Sequence, residues 1–66
     1  MKFNRRKFRS ILIESGLTVR MFSEKVDVPL STMNYNLSKQ NDMKLSFFFM
    51  LCNELNVEPS VLIKQD

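Results

Sequence analysis

Apolar side chains in this chain recur at three- and four-residue intervals, in short blocks separated by Gly16, Asp27–Pro29, Gln40–Met43 and Asn56–Pro59. The two-residue alternation of a half-buried strand is absent. The first block predicts a helix over about 3–14, with Phe8, Ile11, Leu12 and Ser15 on one face and Gly16 closing it. Thr18 is placed to cap a second helix reaching about Val26, with Met21, Phe22 and Val26 inward. Pro29 suits the first turn of a third helix, where a missing N–H costs nothing. That helix is expected to run to about Lys39, with Met33 and Leu37 stacked on its inner face. A fourth, about Leu45–Leu55, turns Leu45, Phe48, Leu51, Cys52 and Leu55 inward. Aromatic propensity alone would make Phe47–Phe49 a strand, but the period near 3.6 continues through it and predicts helix. A last turn after Pro59 holds Val61, Leu62 and Ile63. The expected fold is all-α: five short helices in a single domain spanning 1–66.

Composition narrows the chemistry. A 66-residue chain with 44% apolar residues has enough for one core, and a chain this short buries only about 60% of its unfolded surface. With no His and one Cys, the common zinc sites, a disulfide framework and Ser–His or Cys–His catalysis are excluded within the chain. A non-enzyme without metal, cofactor or small-molecule ligand is expected, and a single Cys suits a reducing compartment. The longest apolar run, Phe47–Cys52, is too short to span a bilayer. Charge is unevenly placed. Lys2, Arg5, Arg6, Lys7 and Arg9 give residues 1–9 a charge of +5, leaving −2 on the other 57 within a total of +3. Such a segment either meets a polyanion or forms a solvated helix face.

The most informative stretch is 17–37, two short helices joined by a tight turn, the helix-turn-helix unit. Phe22, Val26, Val28 and Met33 would form the small core that fixes the angle between them, and Ser23 is small where they approach. Asp27 stands where a left-handed backbone is needed, which Asp tolerates better than most residues. Ser31–Thr32 opens the second helix of the pair.

This stretch resembles the lambda-repressor and Cro-like helix-turn-helix family, also called the xenobiotic-response-element type, which implies a helix-turn-helix over about 18–39. Gly16-Leu17-Thr18 matches the family's Gly-Leu-Thr junction, and Glu24-Lys25-Val26 its Glu-Lys-Leu. Leu45 through Ile63 is similar to its fourth helix, turn and closing short helix. The chain departs from the pattern at Val19 (often a phosphate-binding Gln), Asp27 (Gly), Pro29 (Ser or Thr) and Asn36 (apolar).

The resemblance implies a five-helix repressor-like domain that binds operator DNA in the cytoplasm of a bacterium or a phage-infected bacterium. Its third helix would enter the major groove, presenting Leu30, Ser31, Asn34, Tyr35 and Ser38 to base edges. Asn34 suits adenine, Leu30 a thymine methyl and Ser31 either base type. Arg5, Arg6, Arg20, Lys39 and Lys44 would neutralise phosphates. Ile13, Phe47 and Met50 point away from the expected core faces and suggest a homodimer, with recognition helices about 34 Å apart. The same face supports an alternative: an antirepressor, antitoxin or inhibitor that keeps the fold and docks on another protein. Cys52 is expected to be a small buried hydrophobe.

Overall fold

The computed structural model describes residues 2–39 and 41–64; Gln40, in the expected break at Gln40–Met43, lies outside them. The elements are α1 (Arg5–Glu14), α2 (Val19–Lys25), α3 (Leu30–Leu37), α4 (Leu45–Leu55) and a 3-10 turn (Pro59–Leu62). The described residues are thus all-helical, with four α-helices and no strand. One isolated antiparallel bridge, Phe3 with Ile63, ties the two ends of the chain together. Asn4 N–H donates to Leu62 O at 2.7 Å and Lys64 N–H to Lys2 O at 2.8 Å beside it.

α1 begins later than its pattern predicts because Asn4 caps it, its Oδ1 accepting from Lys7 N–H at 3.0 Å. Phe3 therefore precedes the cap, and its ring lies 5.7 Å from that of Phe8 in the first full turn. This is a hydrophobic staple across a helix start. Phe3 is completely buried and also meets Phe48 edge-on at 6.5 Å. It anchors α1 to α4 through a contact that local periodicity does not reveal.

Three helix ends use one device. Gly16, Asp27 and Asn56 adopt left-handed φ values of 73°, 58° and 55°. In each case the following apolar residue donates back into the helix: Leu17 to Leu12 O, Val28 to Ser23 O and Val57 to Cys52 O, at 2.9, 2.9 and 3.0 Å. Leu17, Val28 and Val57 then pack against the core. The otherwise unpaired carbonyls are satisfied and the chain's exit direction is fixed. Thr18 caps α2 as expected, its Oγ1 accepting from Met21 N–H at 3.1 Å.

The core comprises Phe3, Phe8, Leu12, Phe22, Met33, Leu37, Met43, Phe48, Leu51, Cys52 and Leu62. Edge-on packing of Phe8 and Phe22 at 5.5 Å joins α1 to α2. Buried Ser23 lets α2 lie close to α3, and its hydroxyl is satisfied locally by Arg20 O at 2.7 Å.

Several expected faces are rotated. Met21 is exposed, because it lies about 100° from Phe22 on the side away from Ser23 and Val26. Leu45 is 59% exposed and not inward, with nearby Met43 buried instead. Conversely, Phe47 and Met50 are half-buried against the core, whereas Phe49 stands 47% exposed. Counting Leu45 as inward turns the expected face of α4 away from Phe47 and Met50; in the structure its buried arc runs from Met50 through Cys52. Ile13 is 76% exposed, as expected. α3 ends two residues before Lys39. There Ser38 Oγ donates to Tyr35 O at 2.6 Å and Asn36 Nδ2 to Thr32 O at 2.9 Å. Such side-chain bonds to the backbone compete with helix continuation.

Candidate nucleic-acid interface

α2 leads through the four residues Val26–Pro29 into α3. The connection is held by the Val28 bond to Ser23 O and by Pro29, whose φ of −55° already suits a helix start. Met33 and Leu37 fasten the inner side of α3. Its outward side is then left to polar side chains, and Ser31, Asn34, Tyr35 and Ser38 are all exposed there. Thr32 is exposed beside them and extends the row, although the resemblance implies no contact for it.

Each group in the row has a definite state. Asn34 makes no intramolecular side-chain hydrogen bond among the described residues, so both amide functions face solvent. The Ser38 proton is committed to Tyr35 O, leaving the hydroxyl oxygen to accept. The Tyr35 ring is 60% exposed and carries Lys39 Nζ 4.7 Å above its centre, a cation–π contact. The Tyr35 side chain, chiefly as hydrogen-bond partner, raises the Lys39 pKa above its ordinary value, and the Asp42 carboxylate adds to the rise.

Leu30 is half-buried and does not project freely. It lines a groove between α2 and α3 with Arg20, Ser23, Glu24, Asp27, Val28 and Pro29. Arg20 brings one positive charge to this groove, but Glu24 and Asp27 bring two negative ones. The carboxylates were absent from the expected site because only the meeting of two helices places them there. They disfavour phosphate at the start of α3 and could accept from a cytosine amino group. Lys44 is exposed immediately before α4. Arg5 and Arg6 are exposed on α1, in a separate furrow with Arg9, Ser10 and Ile13. Of the expected cations, Arg20 and Lys39 thus lie beside α3, Lys44 at the start of α4, and Arg5 and Arg6 along α1.

The expected partner face separates too, because half-buried Phe47 and Met50 are not free to match exposed Ile13. Cys52 is buried, which pushes its thiol pKa up and disfavours the reactive thiolate. Among the described residues no cluster of His, Cys, Asp or Glu is arranged to hold a metal ion, and no helix is long and apolar enough to cross a membrane.

No family model, characterised protein or solved structure matches the chain.

Proposed function

We propose that this chain is a non-catalytic, sequence-specific DNA-binding domain of the helix-turn-helix kind, a transcriptional regulator that acts by occupying an operator. The observation that carries the reading is the polar row Ser31, Asn34, Tyr35 and Ser38 on the outward side of a helix whose inner side is fastened by Met33 and Leu37. A rigid helix with a free amide and hydroxyl groups fits the major groove, where each base pair offers a distinct pattern of donors and acceptors. Lys39, Arg20 and Lys44 supply phosphate contacts around it. Arg5 and Arg6 add to the positive field.

An eight-residue α3 reaches too few base pairs to select one site among a genome's competitors. A homodimer doubles the site, and Leu45 with Phe49, exposed one turn apart on α4, replaces Phe47 and Met50 as its apolar contact. Replacing both by serine should reduce a dimeric sedimentation mass to that of a monomer; an unaltered mass removes this contact.

The test of the reading is selection of bound sequences from random duplex DNA, followed by affinity measurements across salt. A recovered consensus and an affinity that falls as salt rises are expected. Absence of any enriched sequence would overturn it. The alternative of an antirepressor, antitoxin or inhibitor docking through Phe47 and Met50 is disfavoured because both side chains are half-buried.

A further inference from the structure

Ile13 is the most exposed of the large apolar side chains, at 76%, and neither the core nor the polar row of α3 uses it. It joins two furrows. One contains Arg5, Arg6, Arg9 and Ser10; the other runs from Arg9 past Leu17 to Thr18 and Val19 at the start of α2. No acidic side chain lines either furrow. The apolar floor is extended by Leu17 and Val19, both half-buried. Gly16 N–H donates to Ile13 O at 3.0 Å, so the backbone beneath the exposed side chain is fixed by the helix terminus.

We propose that this face of α1 docks an acidic protein segment carrying an apolar anchor residue. The anchor covers Ile13 and the adjoining apolar floor, and its flanking carboxylates meet Arg5, Arg6 and Arg9. Paired guanidinium–carboxylate contacts supply direction, and the covered isoleucine supplies the part of the affinity that salt does not screen. A DNA backbone would satisfy the arginines but leave Ile13 in water. A lipid surface requires a broad free apolar face, which α1 lacks because Phe8 and Leu12 are buried. The proposal shares Arg5 and Arg6 with the DNA reading, but its centre at Arg9 and Ile13 lies outside the row on α3.

The test is an NMR titration of the full isotopically labelled chain. The probes are a synthetic helical peptide with leucines flanked by glutamates, the same peptide with serine for leucine, random-sequence duplex DNA and vesicles containing phosphatidylserine. The leucine peptide should move the Ile13 methyl and Arg9 side-chain signals and bind at least about tenfold more tightly than the serine peptide. Ile13→Ser and Arg9→Glu should each weaken it by about tenfold with unchanged helicity, as both positions are exposed. Equal binding of the two peptides overturns the proposal. So does an unmoved Ile13 signal with the leucine peptide, or movement produced by DNA or vesicles alone.

Discussion

Helix α3 fully buries only Met33 and Leu37 among its eight residues, whereas α4 buries Phe48, Leu51 and Cys52 and half-buries Phe47, Met50 and Leu55 among its eleven. α3 depends on α2 and a pinned turn for its position, and most of its surface is free for other use. α4 contributes Phe48, Leu51 and Cys52 to the core, so its side chains serve chiefly to hold the domain together. On the proposed DNA-binding reading, stability and recognition fall to different helices, and substitutions in the two should have separable effects.

The largest effect belongs to α4. Phe48 is 1% exposed, with Phe3 and Phe49 rings within 6.5 Å. Phe48→Ala should cost about 3–5 kcal/mol, as for other buried aromatics. A chain of this length has roughly 3–10 kcal/mol in total, so the loss is about a third of it or more, and urea or thermal unfolding should show a large fall in the midpoint. Retention of most of the stability would mean that α4 is not the organising helix.

The complementary experiment is on α3. Asn34→Ala and Tyr35→Ala should each change unfolding free energy by less than about 0.5 kcal/mol, as expected at exposed positions. Each should nevertheless weaken binding to a selected DNA site by roughly tenfold or more if its side chain reads a base. Fluorescence anisotropy and denaturation on the same samples separate the two quantities. Loss of stability in step with affinity would collapse the distinction between the helices.

Smaller changes probe the left-handed residues that end α1 and α2. No atom lies within 4 Å of where a β-carbon at Gly16 would sit, yet its φ is +73°. Gly16→Ala should therefore cost about 1 kcal/mol from backbone conformation alone. Asp27, at φ 58°, bears that conformational cost already. Asp27→Gly should stabilise by about 0.5 kcal/mol after allowing for glycine's greater unfolded-state entropy. It also removes a carboxylate from the groove beside α3 and should tighten non-specific DNA binding. Calorimetry and binding to random duplex check the two consequences.

These elements also mark what could be read in advance. The Thr18 cap and the left-handed ends at Gly16 and Asp27 were legible because their residue types carry local backbone preferences. Of the outward row on α3 that the family resemblance implies, Ser31, Asn34, Tyr35 and Ser38 are exposed because Met33 and Leu37 hold the other side inward, whereas Leu30 is half-buried. The rotation of α4 was not legible, since eight of its eleven residues are apolar and its periodicity leaves the burial direction loose. Phe3 was missed for a different reason: its partners Ile63 and Phe48 lie far along the chain. The carboxylates in the α2–α3 groove likewise come together only when the two helices pack.

The smallest expected effect concerns the contact between Tyr35 of α3 and Lys39 beyond its end. Lys39 is held over Tyr35, which raises its pKa. A cation with a higher pKa folded than unfolded contributes stability fully below its unfolded pKa, and loses it as pH rises through the folded value. The window is therefore alkaline, above the ordinary lysine range near ~10.4, and neutral-pH stability should be indifferent to modest changes in pH. Tyr35→Ala removes the ring and the phenol together, so the Lys39 pKa should fall towards its ordinary value in an NMR titration of the side chain. Because the pair is open to solvent, its effect on overall stability should be slight. An unshifted Lys39 titration would mean that the lysine is independent of Tyr35, free to follow a phosphate without disturbing the side chain proposed to read the bases.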